Sequence, residues 1–431
     1  MTERTVAVNY VARVEGEGAL RVRIEQQAVK EVELRIFEPP RFFEAFLRGR
    51  SYLEAPDITS RICGICPVAY QMSASHALES IAGIEVRGPL RSLRRLLYAG
   101  EWIESHALHI FLLHLPDFLG FPDAVHMAEK HPEVVKQGLE LKRVGNQVME
   151  VLGGRAIHPI NPRIGGFYRC PNREEVQGLE APLEGALGQA EATARFVATL
   201  PFPNVEEDYD FVSLRHPEEY PMNEGRIVSS SGLDVPFERF EEEFQEQQVP
   251  WSNALQSRTK EGRTYLVGPL ARFALNRDRL TPKAATLARE LQVPAPVRNP
   301  FQAILVRSLE MVVAIEEALR IVRSYHEPPE PFLSPPTPFR GGIGRWATEA
   351  PRGLLYHRYE VGADGIIREA KIVPPTAQNQ ARIEQDVRHL VERSIGLGDA
   401  ELQDACERAI RNHDPCISCA THFLQLDLQR D

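Results

Sequence analysis

The sequence has no long apolar stretch. No run of about eighteen consecutive apolar residues occurs in its 431 residues, so no transmembrane helix and no membrane insertion are expected. The first ten residues, MTERTVAVNY, contain no apolar core of a signal peptide. The interpretation is therefore a cytoplasmic protein, and export on the signal of a partner subunit is the alternative.

Nucleotide-binding motifs are also missing. The chain has no Walker motif, and its glycine clusters do not lie in a strand–GxGxxG–helix frame, so we expect no nucleotide to bind this chain. The formal net charge of −10 argues against nucleic acid and against anionic membranes as main partners.

Cysteine is scarce, but its placement is informative. Four of the six cysteines form two CxxC pairs at opposite ends of the chain, Cys63 with Cys66 and Cys416 with Cys419. Thiolates bind soft metals, and a CxxC pair can chelate one ion from a single turn. The two pairs predict a four-thiolate site that only the folded chain can assemble. By spacing alone, zinc, rubredoxin-type iron and an iron–sulfur cluster all fit.

The distance between the two pairs favours a central site over a local staple. A zinc ribbon normally closes a loop of about 15–20 residues, whereas here most of the protein separates the pairs. Thioredoxin-like redox chemistry is a weaker alternative because no βαβ unit frames either pair. Cys170 and Cys406 have no partner spacing and are interpreted as small core residues.

Hydrophobic periodicity predicts a mainly helical fold with small antiparallel β elements near both ends. Alternating residues predict three strands in the first forty residues, and alternation returns at 354–373 around a hairpin turn at 362–365. The acidic run 238–248 predicts a solvated helix face. Spacings of three and four residues predict helices over 66–82, 91–114, 123–152, 178–199, 301–325, 379–395 and 399–412.

The need to bring the two cysteine pairs together predicts one interleaved unit over 1–431. Within it, 1–60 holds the N-terminal sheet and short helices, and 61–325 forms a helical body. The part 326–431 contains the hairpin, further helices and the second cysteine motif. The proline-rich stretch 326–338 is interpreted as an extended connector.

Seven sequence blocks follow one another in a specific order. They are RVEG at 13–16, RICGIC at 61–66, SHALH at 105–109 followed by Pro116-Asp117, GGR at 153–155 with His158-Pro159, EAPRG at 349–353, PTAQN at 375–379 and the segment 414–422. Over nearly the whole chain, these blocks resemble the large, catalytic subunit of the nickel–iron hydrogenases. We therefore expect the fold of that subunit.

The resemblance implies a binuclear metal centre. Cys63 and Cys416 would be terminal nickel ligands, and Cys66 and Cys419 would bridge nickel to an iron that carries cyanide and carbon monoxide. Soft thiolates stabilise changing nickel oxidation states and can accept a proton. The implied activity is the reversible heterolytic cleavage of dihydrogen.

The resemblance also assigns charged residues around this centre. Arg352, held by Asp117 and Asp414, would lie over the vacant metal position, polarise dihydrogen and contact a cyanide. A buried structural Arg–Asp network is the alternative. Glu15 would relay protons from the Cys416 thiolate.

Further residues are assigned to the iron ligands and to a second ion. The Thr376 hydroxyl would donate to the other cyanide, and Pro351 and Pro375 would line the pocket for the diatomic ligands.

Glu44, His422 and the Ile372 carbonyl would hold a separate magnesium or iron ion, since a hard ion prefers oxygen donors.

The chain departs from the family pattern at two places. Tyr70 stands where the family usually has a histidine; we interpret it as keeping a hydrogen bond to the cluster region, with altered oxygen tolerance or proton handling as the alternative. Residues 423–431 follow His422, after which many members are cut. The sequence is thus a precursor for a maturation endopeptidase or belongs to an unprocessed branch.

The resemblance also implies partners. The chain lacks further CxxC sets for electron-carrying clusters, so electrons would leave through an iron–sulfur small subunit near Cys63 and His158. Its motifs resemble the cytoplasmic bidirectional NAD(P)-linked group, specifically the sulfhydrogenase α-subunit. That group couples to a flavin/NAD(P) diaphorase and further iron–sulfur subunits.

Three alternatives remain. One is a deazaflavin-reducing hydrogenase subunit, and another is a non-catalytic coupling subunit like that of respiratory complex I. The third is a zinc-stabilised binding protein.

Overall fold

The computed structural model describes residues 3–335 and 338–421. In these ranges the α-helices are α1 (Phe43–Leu47), α2 (Ala55–Ser60), α3 (Pro67–Ala82), α4 (Gly88–Ala107), α5 (Leu115–Leu119), α6 (Ala124–Lys130), α7 (Pro132–Gly153), α8 (Arg173–Gln177), α9 (Glu180–Val197), α10 (Phe240–Glu243), α11 (Pro269–Asn276), α12 (Pro282–Glu290), α13 (Ala303–Ser324), α14 (Pro375–Arg393) and α15 (Asp399–Asn412). A π-helical turn (Leu108–His114) joins α4 to α5.

The strands form small antiparallel sheets. They are β1 (Glu3–Val8), β2 (Gly18–Glu25), β3 (Ala28–Ile36), β4 (Pro162–Arg163), β5 (Gly166–Phe167), β6 (Val212–Arg215), β7 (Arg226–Ser229), β8 (Asp234–Val235), β9 (Phe244–Gln248), β10 (Leu255–Thr259), β11 (Gly342–Ala350), β12 (Gly353–Val361) and β13 (Ile367–Val373). The sheets pair as β1-β2-β3, β4-β5, β6-β7-β8, β9-β10 and β11-β12-β13. The predicted helix-rich fold with small antiparallel sheets is confirmed, and three of these sheets lie in the middle of the chain.

The N-terminal sheet follows directly from the alternation in the sequence. Val6, Val22 and Leu34 are buried on one face, and they pack with Ile383 of α14 and Cys406 of α15 into a separate core. The first strands are thereby anchored to the helices that precede the second cysteine pair. The prediction that Cys406 is a core residue is confirmed.

The central core is formed by four helices that pack together: α4, α7, α9 and α13. Helix α13 is buried on nearly all sides, as expected for a helix that is apolar around its circumference. Helices α4 and α7 approach closely at Gly145. A Cβ atom at that position would lie 2.6 Å from both the amide nitrogen of Glu104 and the carbonyl oxygen of Gly100.

The C-terminal hairpin positions the EAPRG block. β11 and β12 pair from Gly342↔Val361 to Ala350↔Gly353, so Pro351 and Arg352 form the tight connection between them. Gly353 has φ +133°, and a Cβ there would be 2.7 Å from the Gly268 amide nitrogen. Only glycine fits this connection, which projects Arg352 from the sheet.

For the acidic run 238–248 the prediction of a helix is wrong beyond residue 243, whereas residues 238, 239, 242, 245, 247 and 248 are exposed as predicted. This segment forms the short helix α10 followed by β9, and Glu243 is only 7 % exposed. Phe237, Phe240 and Phe244 recur at three- and four-residue spacing and bury this segment against β6, β7 and β12. The charge of the run concealed this apolar pattern.

In the described ranges, no helix is both long and apolar enough to cross a membrane.

Replacing Gly145 by alanine is expected to destabilise the fold. The new methyl group must displace the α4 backbone, which costs about 1–3 kcal/mol of unfolding free energy. The measurement is the urea unfolding midpoint of the purified chain. The matched control is Gly185→Ala on α9, where nothing lies within 4 Å and the higher helix propensity of alanine adds about 1 kcal/mol. Equal effects of the two substitutions would contradict the close packing of α4 on α7.

Candidate metal centre

Four thiol groups from the two ends of the chain meet in the interior. The Sγ atoms of Cys63 and Cys416 are 3.5 Å apart, and those of Cys66 and Cys419 are 3.7 Å apart. All four sulfur atoms lie within 4.8 Å of one another, and each residue is at most 3 % exposed. This set of buried soft donors fits one metal centre.

Local structure holds each pair in place. The first pair lies in the turn between α2 and α3, where the Cys63 sulfur accepts hydrogen bonds from the Ile65 and Cys66 amides at 3.3 and 3.4 Å. The second pair follows α15. There the Ile417 amide donates to the Glu15 carbonyl at 2.9 Å, within a parallel bridge between Glu15 and Cys416. The N-terminal segment therefore clamps the C-terminal cysteine loop.

The sulfur cluster prefers to carry negative charge at Cys63. Hydrogen bonds from the thiols of Cys416, Cys419 and Cys66 lower the pKa of Cys63 well below its ordinary value, and the charge of Arg352 adds to this effect. A buried thiolate beside three thiols attracts a soft cation.

Glu15 lies against the second cysteine pair. Its Oε2 atom accepts hydrogen bonds from the Cys416 thiol at 3.1 Å and from the Ser418 amide at 3.0 Å. Burial raises the pKa of Glu15, and the negative charge of Cys63 raises it further. This carboxyl group can thus exchange a proton with the Cys416 sulfur.

Arg352 is buried beside the thiols and is held by Asp414. Its Nε donates to the Asp414 carbonyl at 2.9 Å, and Nη2 donates to Oδ1 at 3.1 Å. Its Nη1 has no hydrogen-bond partner among the described residues, although Arg352 is only 3 % exposed. A buried donor without a partner is costly, so this nitrogen fits a ligand acceptor of the metal centre.

The expectation that Asp117 also holds Arg352 is wrong. Both Asp117 oxygens are engaged by Arg411, at 2.8 Å each, and Arg13 pairs with the same carboxylate. Burial by itself raises the pKa of Asp117. The hydrogen bonds and the positive charge of Arg411 together have the larger effect, so the pKa of Asp117 is lowered. Asp117 therefore stabilises the junction between the N-terminal segment and α15.

Asp414 has a second ion-pair partner, Arg307, which was not predicted from the sequence. The Arg307 Nη1 lies 3.3 Å from Asp414 Oδ2, and the Arg307 side chain is 1 % exposed. A sequence signal existed, because Arg307 interrupts the apolar run Ile304–Leu309 near the start of α13. A charge in such a run indicates a buried ion pair.

Of the residues expected around the iron ligands, Thr376 contacts the second cysteine pair. Thr376 Oγ1 accepts a hydrogen bond from the Cys416 amide at 2.9 Å, which leaves its O–H as a donor. Pro375 is the first residue of α14, and Pro351 lies in the β11–β12 connection next to Arg352.

The structure brings together two of the three residues expected at the second ion. Glu44 Oε1 accepts a hydrogen bond from the Ile372 amide at 2.7 Å, and burial raises the pKa of Glu44 to about 8. His422 lies outside the described residues. Glu246 was missed because it lies in the run assigned to solvent. Its side chain is half-buried with Oε2 3.6 Å from Lys371 Nζ, and burial raises the pKa of Glu246 to about 7.

Tyr70 lies in the wall of the sulfur cluster and is 1 % exposed. Burial raises the pKa of Tyr70 well above its ordinary value, and the negative charges of Cys419 and Cys66 add to this. Its hydroxyl has no hydrogen-bond partner of ordinary geometry among the described residues. The expected hydrogen bond to the cluster region therefore stays a prediction for the metal-bound protein.

The comparison with known proteins decides the family. The model of the family "Nickel-dependent hydrogenase" matches residues 41–138 and 255–422, which include all four clustered cysteines. This chain belongs to the nickel-dependent hydrogenase family. Sulfhydrogenase 1 subunit alpha of Pyrococcus furiosus is 35 % identical over 98 % of each chain. The NAD-reducing hydrogenase HoxS subunit beta of Cupriavidus necator is 26 % identical over 98 % of this hydrogenase and 95 % of that protein.

Solved hydrogenase structures share the fold. An NAD⁺-reducing [NiFe]-hydrogenase in the H₂-reduced state superposes on this hydrogenase with a TM-score of 0.87 at 28 % identity, covering 97 % of this chain and 99 % of that one. A [NiFeSe]-hydrogenase of Dm. baculatum superposes with a TM-score of 0.80 at 20 % identity, covering 98 % of this chain and 100 % of that one. The second likeness shows the fold alone.

The four sulfur atoms are expected to bind one soft metal ion per chain. Titration of the metal-free chain with Co²⁺ should give thiolate-to-metal charge-transfer absorption that saturates at one equivalent. Cys419→Ser should weaken binding, because it removes one of the four thiolates. The matched control, Cys406→Ser, should leave the titration unchanged, since Cys406 lies in a separate core. Equal behaviour of the two variants would contradict the site.

Asp117→Asn should cost about 3–5 kcal/mol of unfolding free energy, because it removes the carboxylate that the buried Arg411 shares with the half-buried Arg13. The measurement is chemical denaturation. The control is Asp278→Asn, whose ion pair with Arg215 is exposed, so a loss below about 1 kcal/mol is expected. Similar losses at the two sites would show that the Asp117 junction does not stabilise the fold.

Proposed function

We propose that this chain is the catalytic subunit of a nickel–iron hydrogenase that reversibly cleaves dihydrogen into protons and electrons. One observation carries the proposal. Four buried thiols lie within 4.8 Å of one another beside an Arg352 nitrogen that lacks a hydrogen-bond partner among the described residues, in a chain of the nickel-dependent hydrogenase family. A complex-I-like coupling role and a zinc-binding role account less well for this donor set.

The donor set suggests which residues would hold the metal group. Cys63 and Cys416 are proposed as terminal nickel ligands, and Cys66 and Cys419 as bridges to iron. When bound, a nickel–iron group with cyanide and carbon monoxide on iron supplies the Lewis acidity that splits dihydrogen.

Four neighbours are proposed to serve the diatomic ligands. The Arg352 Nη1 and the Thr376 hydroxyl are the donors available to cyanide. Pro351 and Pro375 would supply the apolar wall that excludes water.

Glu15 is proposed as the first proton acceptor. Its Oε2 lies 3.1 Å from the Cys416 sulfur, within reach for direct transfer. Burial raises the pKa of Glu15, which makes its carboxyl group a better proton acceptor than an exposed one. Arg352, held by Asp414, would keep a fixed positive charge over the position where dihydrogen reacts.

Glu44, the Ile372 carbonyl and His422 are proposed to bind a magnesium or iron ion. The contact between Glu44 and Ile372 supports two of these ligands. Residues 423–431 are proposed to be removed by a maturation endopeptidase.

An exposed apolar surface is proposed as the docking site of an iron–sulfur small subunit. Phe46, Leu53, Ile160 and Tyr168 are each more than 45 % exposed and line one cleft of about 680 Å³. Clustered exposed apolar side chains mark protein interfaces. The His158 Nδ1–H donates a hydrogen bond to the Ser60 carbonyl at 2.7 Å, and so ties this surface to the helix that leads into Cys63.

The electron acceptor is proposed to be NAD(P), reached through a flavin diaphorase and further iron–sulfur subunits in the cytoplasm. The names of the sulfhydrogenase and NAD-reducing relatives support this subtype. A deazaflavin acceptor is the alternative.

We further propose that residues 1–431 fold as one interleaved unit, because the metal centre needs both ends of the chain.

The direct test is activity and composition of the purified complex with its small subunit. Nickel and iron in a ratio near one, infrared bands of cyanide and carbon monoxide, and dye reduction by dihydrogen are expected. Arg352→Lys should lower dye reduction at least about a hundred-fold with both metals retained, because lysine cannot reproduce the guanidinium fork. Arg215→Lys, at an exposed ion pair, is the control. Zinc alone, without the infrared bands, would refute the function.

A further inference from the structure

One buried carboxylate, Asp414, is shared by two buried arginines. Arg352 is 3 % exposed, Asp414 is 2 % exposed and Arg307 is 1 % exposed. Arg352 donates from Nε to the Asp414 carbonyl at 2.9 Å and from Nη2 to Oδ1 at 3.1 Å. The Arg307 Nη1 atom lies 3.3 Å from the other carboxylate oxygen, Oδ2. Each oxygen of Asp414 therefore faces a different guanidinium group.

Asp414 is also the acid on which the charge of Arg307 depends. Glu310 follows Arg307 by three residues on α13, but both Glu310 oxygens accept from Arg272, at 2.8 and 2.7 Å. A guanidinium group stays charged in proteins, and a buried charge needs an opposite charge nearby. Among the described residues, Asp414 is the only acid that forms an ion pair with Arg307. Arg307 is therefore directed at Asp414.

The contact between Arg307 and Asp414 is electrostatic. Neither the Arg307 Nη1 nor the Asp414 Oδ2 atom has a hydrogen bond of ordinary geometry among the described residues. At 3.3 Å in a buried site, opposite charges still attract each other strongly. It follows that the positive charge of Arg307, rather than the exact shape of its guanidinium group, holds Oδ2.

The backbone of Asp414 is fixed, so its side-chain orientation is the freedom that remains. Asp414 has φ +51°, in the left-handed region that few residues other than glycine adopt. Its amide donates to the Arg411 carbonyl at 3.1 Å, and its own carbonyl accepts from Arg352. With both backbone groups engaged, the direction of Oδ2 is decided by the charges around the carboxylate.

The position of Oδ2 determines how many donors Arg352 gives to Asp414. An arginine and a carboxylate favour two parallel hydrogen bonds between their forked ends. Here Oδ2 faces Arg307 instead, and the Arg352 Nη1 atom has no hydrogen-bond partner among the described residues. An unpaired buried donor is costly, so something must keep Asp414 from satisfying it.

We propose that Arg307 is a positioning residue whose charge holds Asp414 Oδ2 away from Arg352, so that Arg352 Nη1 stays free for an acceptor of the metal centre. The proposal rests on the proposed hydrogenase function, in which Arg352 lies over the reacting position. Arg307 acts through Asp414. Without Arg307, the carboxylate turns and takes both terminal nitrogens of Arg352.

The first test compares crystal structures of the metal-free full-length chain and its Arg307→Met variant. Methionine has an unbranched side chain without charge, so it cannot hold Oδ2. In the variant, the distance between Asp414 Oδ2 and Arg352 Nη1 should fall to about 3 Å, that of a hydrogen bond. The wild type should lack this contact. This measurement needs neither the metals nor activity.

The second test uses the intact complex with its metals. Arg307→Met should shift a cyanide infrared band and lower dye reduction by dihydrogen about ten- to a hundred-fold, with nickel and iron retained, because one donor is withdrawn from the metal centre. Arg307→Lys keeps the positive charge. It should therefore retain the wild-type bands and most of the wild-type rate.

The matched control is Arg95→Met, at a buried arginine that pairs with Glu317 of α13 instead of Asp414. It should lower the urea unfolding midpoint but leave the cyanide bands and the rate unchanged. The control thus separates a loss of stability from a loss of positioning. Should Arg307→Met fail to fold, Arg307→Gln replaces it; its neutral amide should shift the same band in the same direction, by a smaller amount.

Three results would overturn the role of Arg307. They are an Arg352 Nη1 atom that stays unpaired in the Arg307→Met structure, a lowered rate with unchanged cyanide bands, and an Arg307→Lys variant no better than Arg307→Met. A wild-type complex without nickel and without these bands refutes the proposed function instead. In that case the two crystal structures still decide whether Arg307 controls the orientation of Asp414.

Discussion

The structure depends on the convergence of four sulfur atoms from the two ends of the chain. Holding them within 4.8 Å requires that the segment before α3 and the segment after α15 meet in the interior. Protein contacts that hold the two segments include the Glu15–Cys416 bridge and the packing of β1–β3 on α14 and α15. A bound metal would add direct bonds to this arrangement, so metal binding and folding are thermodynamically linked.

The second constraint on the fold is that buried charged side chains need partners of opposite charge, and here they form carboxylate–arginine ion pairs. Asp414 faces Arg352 and Arg307, while Asp117 faces Arg411 and Arg13. Removing one member of a buried pair leaves an uncompensated charge, which costs more than the pair contributes. In the first cluster the Arg352 Nη1 atom lies beside the thiols without a hydrogen-bond partner among the described residues, whereas in the second cluster Arg411 pairs with both Asp117 and Glu407. This difference distinguishes Arg352, a candidate functional arginine, from the structural Arg411.

Local patterns in the sequence predicted the helices and strands well. Contacts between residues that are far apart in the sequence were predicted less well. CxxC spacing indicated a shared site, and periodicity located β1–β3, α3, α13 and the hairpin turn. The partner of Asp117 could not be read from the sequence, because the π-helical turn Leu108–His114 adds a residue to one turn just before it. Such an insertion changes the direction of every later side chain without altering local composition. Glu246 was missed because a count of charges does not reveal which side of β9 is buried.

The central claim is that the clustered thiolates bind nickel together with iron. X-ray absorption at the nickel edge of the purified complex measures this most directly. The account predicts nickel coordinated mainly by sulfur at about 2.3 Å, as for other metal–thiolate bonds, with an iron scatterer at short distance. Nickel surrounded only by nitrogen and oxygen, or a protein that carries no nickel after anaerobic purification with its partner, would contradict it.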